Sequence, residues 1–457
     1  MMSHTLQPSV DIYPSPEGID PSPDYEVRVN GQDVFVYHTP VASVAPFAFE
    51  GEVEIEIRPL IEVRSMRVRP MRHGVEPRHG GDTWRFRLSE PCHLSVEIND
   101  ELLTPLFLFA DPPETERPDP DDDGVHYFES GRIHDVGALQ LEAGESIYIE
   151  GGAVVRGAIR ADRLDNVRIR GRGVFQSRRI EPDFRRAVQI NDCRGVLVEG
   201  ITFLESQAWT VCPFGSRDVT VRNVKIVNVD CGRDGIDLLG TQDALVEDCF
   251  IRTNDDCIVL KAGGGWRGEH PYGHANVERI HVRRCTLWNA ACGNALEIGY
   301  ETRCAYMRDI RFEDIDIIHA EFEGWSSGAA ISIHNGDRAV IDGVVYENIR
   351  IEDAREKLFD FRVLHAQYTR DKQKGQIRNI RVKDVAVIDG VLPPSLLDGW
   401  WERNDDSGKI QNVWFENVTY RGTPLLNPVD AKMVICKAGD IYFHPGPRDA
   451  TDAAWEL

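Results

Sequence analysis

The chain of 457 residues is poor in the features that mark several common classes of protein. It has no run approaching the about 20 apolar residues that a membrane-spanning helix needs. Its 52 lysine and arginine residues against 75 acidic ones give a net charge of -23, which disfavours binding to nucleic acid phosphates. Neither a C-x-x-C pair nor histidines at zinc-ligand spacing occur. We therefore expect no metal, cofactor, membrane or nucleic acid among its partners.

The chain also lacks a recognisable secretion signal, since residues 1–8 contain neither a basic nor an apolar segment. Ten cysteines are scattered over its length. Reduced and mostly buried thiols are the simplest interpretation of such scattered cysteines. Both observations favour a cytoplasmic location, and the sequence gives no indication of the oligomeric state.

Short runs of alternating apolar and polar residues are present in place of long helical patterns. Four such runs, each with the period of two that marks a half-buried strand, are 25–29, 34–37, 53–57 and 84–88. Their spacing predicts an antiparallel β-sandwich over about residues 20–110. The following segment, 111–124, is predicted to be a linker too acidic and proline-rich to pack. The sequence thus predicts two domains, 1–124 and 125–457.

From about residue 140 a short unit recurs, in which Val and Ile surround an Asn or Asp, every 22 to 36 residues or so. A right-handed parallel β-helix fits, because the branched side chains of each turn stack on the next and form a continuous core. Asn or Asp suits the corner because it tolerates left-handed backbone angles. We therefore predict an all-β protein, a β-helix preceded by a small β-sandwich. The clearest copies are 219–226, 244–251, 280–287, 310–317, 344–351, 380–387 and 413–420.

A second strand can be aligned in each turn, and it carries the unusual residues. If its Ile and Leu side chains point inward, the alternate positions point outward and form a column. Lys261 and His334 are predicted to face outward at the ends of their strands. The column contains Asp237, Val259, Glu297 and Ser332.

Three aspartates are predicted to lie together on this face. Asp234 and Asp256 fall at equivalent corners one turn apart, and Asp255 is adjacent to Asp256. Because neighbouring strands are about 4.8 Å apart, the three carboxyl groups should share a patch on the order of 5–10 Å across. Like charges that close raise the pKa of at least one of them. A protonated acid beside an ionised base is what cleavage of a glycosidic bond requires.

A single aspartate at a solenoid corner is usually a structural cap. Three in register over two turns, beside Gly235, Lys261 and the glycine-rich 263–265, favour a functional interpretation instead. We therefore regard the three aspartates as the candidate catalytic residues.

The segments D-G-I-D at 234–237 and N-D-D-C-I at 254–258 resemble the paired motifs of the polygalacturonases, glycoside hydrolase family 28. The resemblance covers about residues 140–430. Members of that family are right-handed parallel β-helices that hydrolyse α-linkages with inversion by means of three aspartates. The resemblance implies that Asp256 is the general acid and that Asp234 and Asp255 activate water.

Two departures from the family pattern indicate a different substrate. Gly293-Asn294-Ala295 stands where the family usually has Gly-His-Gly, and its Arg-Ile-Lys segment has no clear counterpart. The segment 295–303 is more similar to the dextranase and isopullulanase group, family 49, which also has a β-sandwich before its β-helix. Glu297 and Glu301 would repel an anionic sugar. The expected substrate is therefore a poly- or oligosaccharide, with a neutral or only partly acidic glycan as an alternative to galacturonan.

Charged residues near the aspartates are candidates for binding the sugar. Lys261 is predicted to hold Asp256 or a sugar hydroxyl group, with a surface salt bridge as the alternative. Glu297 is a candidate for binding hydroxyl groups. Arg303 is a further candidate, although neutralising Glu297 or Glu301 is the expected structural role.

Three more residues complete the set of candidate sugar-binding residues. Asn294 replaces the histidine of the family motif, and His334 lies on the same face, where a solvated surface position is its simpler interpretation. Trp266 belongs to a glycine-rich loop suited to stacking on sugar rings. Further aromatic candidates, each with core packing as the alternative, are Trp209, Trp325, Trp400 and Trp401.

The leading hypothesis is an inverting glycoside hydrolase that cleaves α-glycosidic bonds without a cofactor. A polysaccharide lyase is the first alternative, since the three aspartates could hold the Ca²⁺ that such chemistry often uses. A lyase also needs an Arg or Lys base, and no outward one lies clearly opposite the aspartates. A carbohydrate-binding β-helix without catalysis is the second alternative. The sugar, the linkage and endo or exo cleavage are left open.

Overall fold

The computed structural model describes residues 9–102, 104–178, 184–263, 270–321, 328–400 and 408–446. Within these ranges the chain is almost entirely β-strand, and the one helix is a short 3-10 turn, Met71–His73. No helix in the described ranges is long and apolar enough to cross a membrane. The strands form two small sheets in the N-terminal part and one sheet of 30 strands. The all-β prediction is thereby confirmed.

The two small sheets share one apolar core and form the predicted sandwich. Their strands are β1 (Ser9–Ile12), β2 (Tyr25–Val29), β3 (Gln32–Val34), β4 (Tyr37–Thr39), β5 (Ala42–Glu50), β6 (Val53–Pro59), β7 (Met66–Arg69), β8 (Arg78–Gly80), β9 (Thr83–Leu88), β10 (Cys92–Ile98) and β11 (Leu106–Asp111). The strand orders are β1-β5-β11-β10-β7, with β4 on β5, and β3-β2-β6-β9-β8. The prediction of a purely antiparallel sandwich is wrong for β5 and β11, which pair in parallel. The long connection through the other strands makes that pairing possible.

The large sheet winds into the predicted right-handed parallel β-helix. Its first strands are β12 (Val125–Phe128), β13 (Ile133–Leu141), β14 (Ser146–Ile149), β15 (Val154–Asp162), β16 (Arg168–Gly171), β17 (Val174–Ser177), β18 (Val188–Asn191), β19 (Arg194–Glu199), β20 (Thr202–Leu204), β21 (Val211–Phe214), β22 (Arg217–Arg222), β23 (Lys225–Val227), β24 (Ile236–Leu239), β25 (Gln242–Glu247) and β26 (Phe250–Thr253). The remaining strands are β27 (Ile258–Ala262), β28 (Val277–Arg283), β29 (Thr286–Asn289), β30 (Leu296–Thr302), β31 (Tyr306–Ala320), β32 (Ile331–Asn335), β33 (Val340–Ile351), β34 (Phe359–Val363), β35 (Gln376–Val387), β36 (Ser395–Asp398), β37 (Ile410–Glu416), β38 (Thr419–Tyr420), β39 (Thr423–Pro424), β40 (Met433–Cys436) and β41 (Ala438–His444).

Equivalent strands of successive turns pair so that apolar residues stack on apolar residues, and these stacks form the core of the β-helix. On β24, β27 and β30, for example, Ile236 pairs with Ile258 and Ile258 with Leu296, all fully buried. The alternate positions Asp237, Val259 and Glu297 form the predicted outward column. Stacking branched apolar side chains in this way removes a continuous surface from water, which is the main stabilising force of the fold.

The repeated Asn and Asp residues occupy corners with left-handed backbone angles, as predicted. Asn223, Asp248 and Asp314 have φ values of 52°, 58° and 53°. An Asn or Asp side chain tolerates this conformation better than a branched one. Equivalent angles recur at Asn348, Asp384 and Asn417.

The sandwich packs directly on the β-helix, and the segment that follows β11 takes part. Asp111 is buried, and its Oδ2 lies 2.8 Å from Nζ of the buried Lys225. Its Oδ1 lies 3.0 Å from Nε2 of His93. Burial would raise the pKa of Asp111, but Lys225 and His93 outweigh burial and hold it below its usual range. The expectation that this segment does not pack is wrong at Asp111, while a division into domains 1–124 and 125–457 stays a prediction.

The prediction that the cysteines are reduced and mostly buried is confirmed only in part. Of the eight free ones, six are buried, one is partly buried and Cys436 is exposed, which confirms mostly buried thiols. The expectation of reduced cysteines is wrong for Cys231 and Cys292, which form a disulfide. They are 61 residues apart, and winding of the turns brings their Cα atoms to 5.8 Å.

Replacing Lys225 by methionine is expected to lower the free energy of unfolding at pH 7 by about 3–5 kcal/mol, because the carboxylate of Asp111 would stay buried without its cation. The difference should shrink as the pH falls and Asp111 is protonated. Urea unfolding followed by tryptophan fluorescence measures both effects. Arg85→Ala, which breaks an exposed ion pair with Glu56, is the control and should leave the midpoint unchanged. Equal effects of the two substitutions would contradict the expectation.

Candidate active site

Three carboxyl groups meet where two neighbouring turns enter β24 and β27. Asp234 precedes β24, and Asp255 and Asp256 precede β27. One oxygen of each lies within 4.8 Å of one oxygen of the others. Asp234 and Asp256 are buried, whereas Asp255 is partly exposed. The structure thus brings together the three aspartates that the sequence singles out.

Glycine at two positions allows this crowding. A Cβ atom at Gly235 would lie 2.3 Å from the carbonyl oxygen of Cys257, and one at Gly293 would lie 2.3 Å from the backbone nitrogen of Asp256. Non-bonded atoms do not approach so closely, so these turns pack backbone against backbone around the carboxyl groups.

The ammonium group of Lys261 lies at the centre of the patch. Its Nζ is 2.8 Å from Asp234 Oδ2 and 2.9 Å from Asp237 Oδ1. Asp256 Oδ2 is 3.7 Å away. Lys261 is 5% exposed, so the alternative of a surface salt bridge is wrong. Burial alone would lower the pKa of Lys261, but the surrounding carboxylates outweigh burial and raise it.

Asp237 is a fourth carboxyl group of the cluster, which the sequence places only in the outward column. It is fully buried, and burial raises its pKa well above the usual range. Asp237 is the second aspartate of the D-G-I-D motif, and this is the feature by which it could have been predicted to belong to the cluster. Its contact with Lys261 makes it part of the support behind Asp234.

Asp255 and Asp256 accept hydrogen bonds from two different loops. The N–H of Gly232 donates to Asp255 Oδ2 at 2.6 Å, and the N–H of Asp256 donates to Asp255 Oδ1 at 3.0 Å. The backbone and side-chain N–H groups of Asn294 both donate to Asp256 Oδ1 at 2.9 Å. Burial raises the pKa of Asp255 to about 7 and that of Asp256 well above its usual range.

Asn294 is buried, and both ends of its amide are engaged within the protein. Its Nδ2 donates to Asp256, and its Oδ1 accepts the N–H of Ala329. The structure therefore places Asn294 behind Asp256, where it orients that carboxyl group, and not at an open sugar-binding position.

Glu297 and His334 occupy strand positions whose side chains point away from the β-helix core, as predicted, but both side chains are fully buried. Nδ1 of His334 lies 3.0 Å from Glu297 Oε1, and its Nε2 lies 3.1 Å from Asp360 Oδ2. Burial would lower the pKa of His334, but the two carboxylates outweigh it and raise the pKa. The solvated position predicted for His334 is wrong, and Glu297 is engaged by His334 instead of facing solvent. The cause is that surrounding residues cover this face of the column.

The remaining predicted residues lie farther from the cluster or outside the described ranges. Nε of Arg303 is 3.2 Å from Asp371 Oδ1, so this arginine pairs with a carboxylate that the sequence does not indicate. Glu301 is 8% exposed, and burial raises its pKa. Trp266, Trp325 and Trp401 lie outside the described residues.

Several aromatic rings lie near the cluster. Of these, only Trp209 is among the candidates predicted from the sequence. The ring centre of Trp209 is 4.2 Å from Lys261 Nζ. The partly exposed Tyr300 stacks on His334, with ring centres 4.5 Å apart, and lies 5.6 Å from Tyr368. The charges of Asp255 and Glu301 act on the pKa of Tyr368, which burial raises. Partly exposed aromatic rings beside acid groups suit the apolar faces of sugars.

Arg186 is a cation that sequence reasoning misses, and it contacts the same tryptophan, Trp209, as Lys261 does. Its guanidinium group lies between the rings of Trp209 and Phe214, 4.8 Å and 4.7 Å from their centres. Nη1 donates to Gln189, and the buried Nε has no hydrogen-bond partner in the described part of the chain. No local motif marks Arg186, because the rings of Trp209 and Phe214 come from the next turn of the β-helix.

The model of glycosyl hydrolases family 28 matches residues 157–393, more than half of the chain. The chain belongs to glycosyl hydrolase family 28. The matched range contains all four aspartates, Lys261 and the disulfide. The resemblance predicted from the two aspartate motifs is thereby confirmed.

Curated relatives of this family 28 chain are named as polygalacturonases. A probable polygalacturonase of Vitis vinifera is 28% identical over 128 residues, 28% of this chain and 25% of that protein. A probable polygalacturonase of Arabidopsis thaliana is 20% identical over 174 residues, 38% of this chain and 34% of that protein. The chain thus spans only about a quarter to a third of the length of these relatives.

A solved structure, Dex49A from Penicillium minioluteum, is similar over nearly the whole of both chains. The TM-score is 0.62 at 15% identity, covering 95% of this chain and 96% of that one. At this identity the similarity concerns the fold. It agrees with the predicted likeness to the dextranase group.

Replacing Asp255 by asparagine is expected to stabilise the protein at pH 8 by about 1–3 kcal/mol, a discounted value because Asp255 is partly exposed. A carboxyl group with a pKa near 7 when folded, but near 3.9 when unfolded, destabilises the folded state as the pH rises from about 4 to 7. Below pH 4 the two proteins should be equally stable. Urea unfolding across this range is the measurement. Asp230→Asn, an exposed residue of the neighbouring loop, should show no such pH-dependent gain; the same gain there would contradict the assignment.

Proposed function

We propose that this family 28 protein is a glycoside hydrolase that cleaves α-glycosidic bonds of a poly- or oligosaccharide with inversion at the anomeric carbon. Asp234, Asp255 and Asp256 are the proposed catalytic residues. The observation that carries the proposal is the cluster of three carboxyl groups around one buried ammonium group. Such a cluster keeps one carboxyl group protonated beside an ionised one, as glycosidic cleavage requires.

Asp234 is suited to act as a base on water. Its Oδ2 lies 2.8 Å from Nζ of Lys261. Its Oδ1 has no hydrogen-bond partner in the described part of the chain. That oxygen is buried, and we propose that it accepts a proton from an attacking water molecule bound beside it.

Asp255 is the better candidate for the general acid. Its pKa near 7 lets it donate a proton at neutral pH, and it is the most exposed of the three. Asp256 is buried and its Oδ1 is held by the two N–H donors of Asn294, so it is less accessible to a leaving oxygen than Asp255 is, although burial raises its pKa as well. We therefore propose Asp255 as acid and Asp256 with Asp234 as base, the reverse of the assignment that the family resemblance implies for Asp255 and Asp256.

The spacing of the carboxyl groups makes the stereochemical outcome the central test. Oxygens within 4.8 Å are closer than the about 6.5–9.5 Å usual between acid and base in inverting enzymes, and nearer the about 5–5.5 Å of retaining ones. Inversion requires water to attack the anomeric carbon from the face opposite the leaving oxygen, so the base has to reach that face although it lies close to the acid. A retaining mechanism, with one aspartate as nucleophile, is the second candidate, and this short spacing favours it.

A neutral or only partly acidic glycan is the proposed substrate. Lys261 is occupied by three carboxylates and so offers no charge to a uronate. Glu297 repels an anionic sugar only weakly, because it is paired with His334. Glu301 is then the remaining acidic residue that would repel such a sugar. Arg186, which contacts the same tryptophan ring as Lys261 does, provides one cation that could bind an acidic sugar unit.

Lyase chemistry is disfavoured by the same lysine. Its ammonium group already lies within 2.8 Å of Asp234 and 3.7 Å of Asp256, and Ca²⁺ at the three aspartates would meet it at close range. An unsaturated product that absorbs in the ultraviolet and disappears with chelator would favour the lyase instead.

The cytoplasmic location remains a proposal from the sequence. The Cys231–Cys292 disulfide weighs against it, because such bonds are rare in a reducing cytosol. Cell fractionation, with alkylation of free thiols before lysis, tests the location and the state of the bond together.

On a panel of oligogalacturonides, isomalto-oligosaccharides and pullulan fragments, we expect cleavage with the gain of one water molecule and inversion at the new reducing end. Mass spectrometry identifies the product, and proton NMR within the first minutes reads its anomeric form. Asp256→Asn serves as the inactive control. Initial retention would replace the inverting mechanism by the retaining one, and an unsaturated product would contradict hydrolysis.

On the natural linkage, Asp234→Asn, Asp255→Asn and Asp256→Asn should each lower kcat by about 10²-fold or more. With an aryl glycoside of the same sugar, Asp255→Asn should regain most activity, because a good leaving group does not need the acid. The base variants should stay inactive. Rescue of Asp256→Asn instead of Asp255→Asn would restore the assignment implied by the family resemblance.

A further inference from the structure

The Cys231–Cys292 disulfide joins two loops that border the candidate active site. Cys231 lies in the loop between β23 and β24, and Cys292 lies in the loop between β29 and β30. The turn between these loops carries Asp255 and Asp256. The bond therefore bridges across the turn that holds two of the three proposed catalytic carboxyl groups.

Each cysteine is close in sequence to a group that holds one of these carboxyls. Gly232, next to Cys231, donates its N–H to Asp255 Oδ2 at 2.6 Å. Asn294, two residues after Cys292, donates twice to Asp256 Oδ1. The disulfide thus couples the donor loop of Asp255 to the donor loop of Asp256.

The loop of Cys292 is fixed firmly to the turn between the two loops. The N–H of Cys292 donates to the carbonyl of Asn254 at 3.1 Å. Nδ2 of Asn289 donates to the carbonyl oxygens of both Asp255, at 2.8 Å, and Cys292, at 2.5 Å. Gly293 leaves no room for a Cβ atom against the Asp255–Asp256 peptide. This loop can therefore serve as an anchor.

The loop of Cys231 is the more exposed partner. Cys231 and Gly232 are both exposed, and the loop contacts Asp255 through the Gly232 N–H. The disulfide ties this exposed loop to the anchored one. Because Cys231 is exposed, a soluble reductant can approach the bond from its side.

We propose that the Cys231–Cys292 disulfide is a positioning element that holds the Gly232 N–H on Asp255, so that its reduction lowers hydrolytic activity. A dithiol such as dithiothreitol supplies the two electrons and two protons that convert the disulfide to two thiols, and itself becomes a cyclic disulfide. The positioning rests on geometry alone. The loss of activity also rests on the proposed function of Asp255.

The first test follows the carboxyl group directly. In protein labelled with carboxyl-¹³C aspartate, the Asp255 resonance is assigned by its absence in Asp255→Asn and titrated by NMR before and after reduction. Loss of the Gly232 donor, which favours the ionised form, should move the titration midpoint up by about one pH unit. Cys231→Ser/Cys292→Ser should titrate like the reduced protein, and Cys436→Ser, which removes an exposed free thiol, like the oxidised one.

The second test measures turnover of the panel glycan that the oxidised protein cleaves. Reduction should lower kcat about tenfold with a smaller change in KM, and the double serine variant should have the low kcat with or without dithiothreitol. Circular dichroism checks that the reduced protein stays folded. An unchanged midpoint and kcat after complete reduction, verified by mass spectrometry, would overturn the proposal. A shifted midpoint in a protein that cleaves no panel glycan would support the positioning role and count against the proposed function.

Discussion

The buried ammonium group of Lys261 is the contact on which the candidate site depends. Carboxyl groups that approach one another this closely repel when ionised, and burial adds a desolvation cost to each charge. The contacts of Lys261 with Asp234 and Asp237 on one turn, and with Asp256 on the next, reduce both effects. The same contacts link two adjacent turns of the β-helix. Spacing between turns and spacing between proposed catalytic groups therefore have a common cause.

The fold could be predicted from the sequence because its main determinants are local and repeated. Each turn carries branched apolar residues at the stacking positions and Asn or Asp at a left-handed corner, as at Asn223 and Asp248. These preferences belong to single residues, and their recurrence along the chain reveals the solenoid. The position of the three aspartates follows from the same register. The parallel pairing of β5 with β11 could not be predicted in this way, because it depends on a long connection.

The features that the sequence did not indicate are those that depend on what covers the outward face. Alternation shows that Glu297 and His334 point away from the core, but it does not show that neighbouring segments bury them. Burial turned these two residues into an internal ion pair. The disulfide and the rings around Arg186 join residues from separate turns, so no spacing within one repeat reveals them.

The contact between the sandwich and the β-helix extends close to the proposed chemistry. Phe107 of the sandwich packs against Phe250 and Trp288, with ring centres 4.9 Å and 5.6 Å apart. The residue after Trp288 is Asn289, whose side chain holds the carbonyl of Asp255. The N-terminal part thus packs behind the turn that carries Asp255. If the β-helix were produced alone as a minimal enzyme, its apolar side chains Phe250 and Trp288 would be exposed to water. The two parts therefore have to be exchanged or redesigned together.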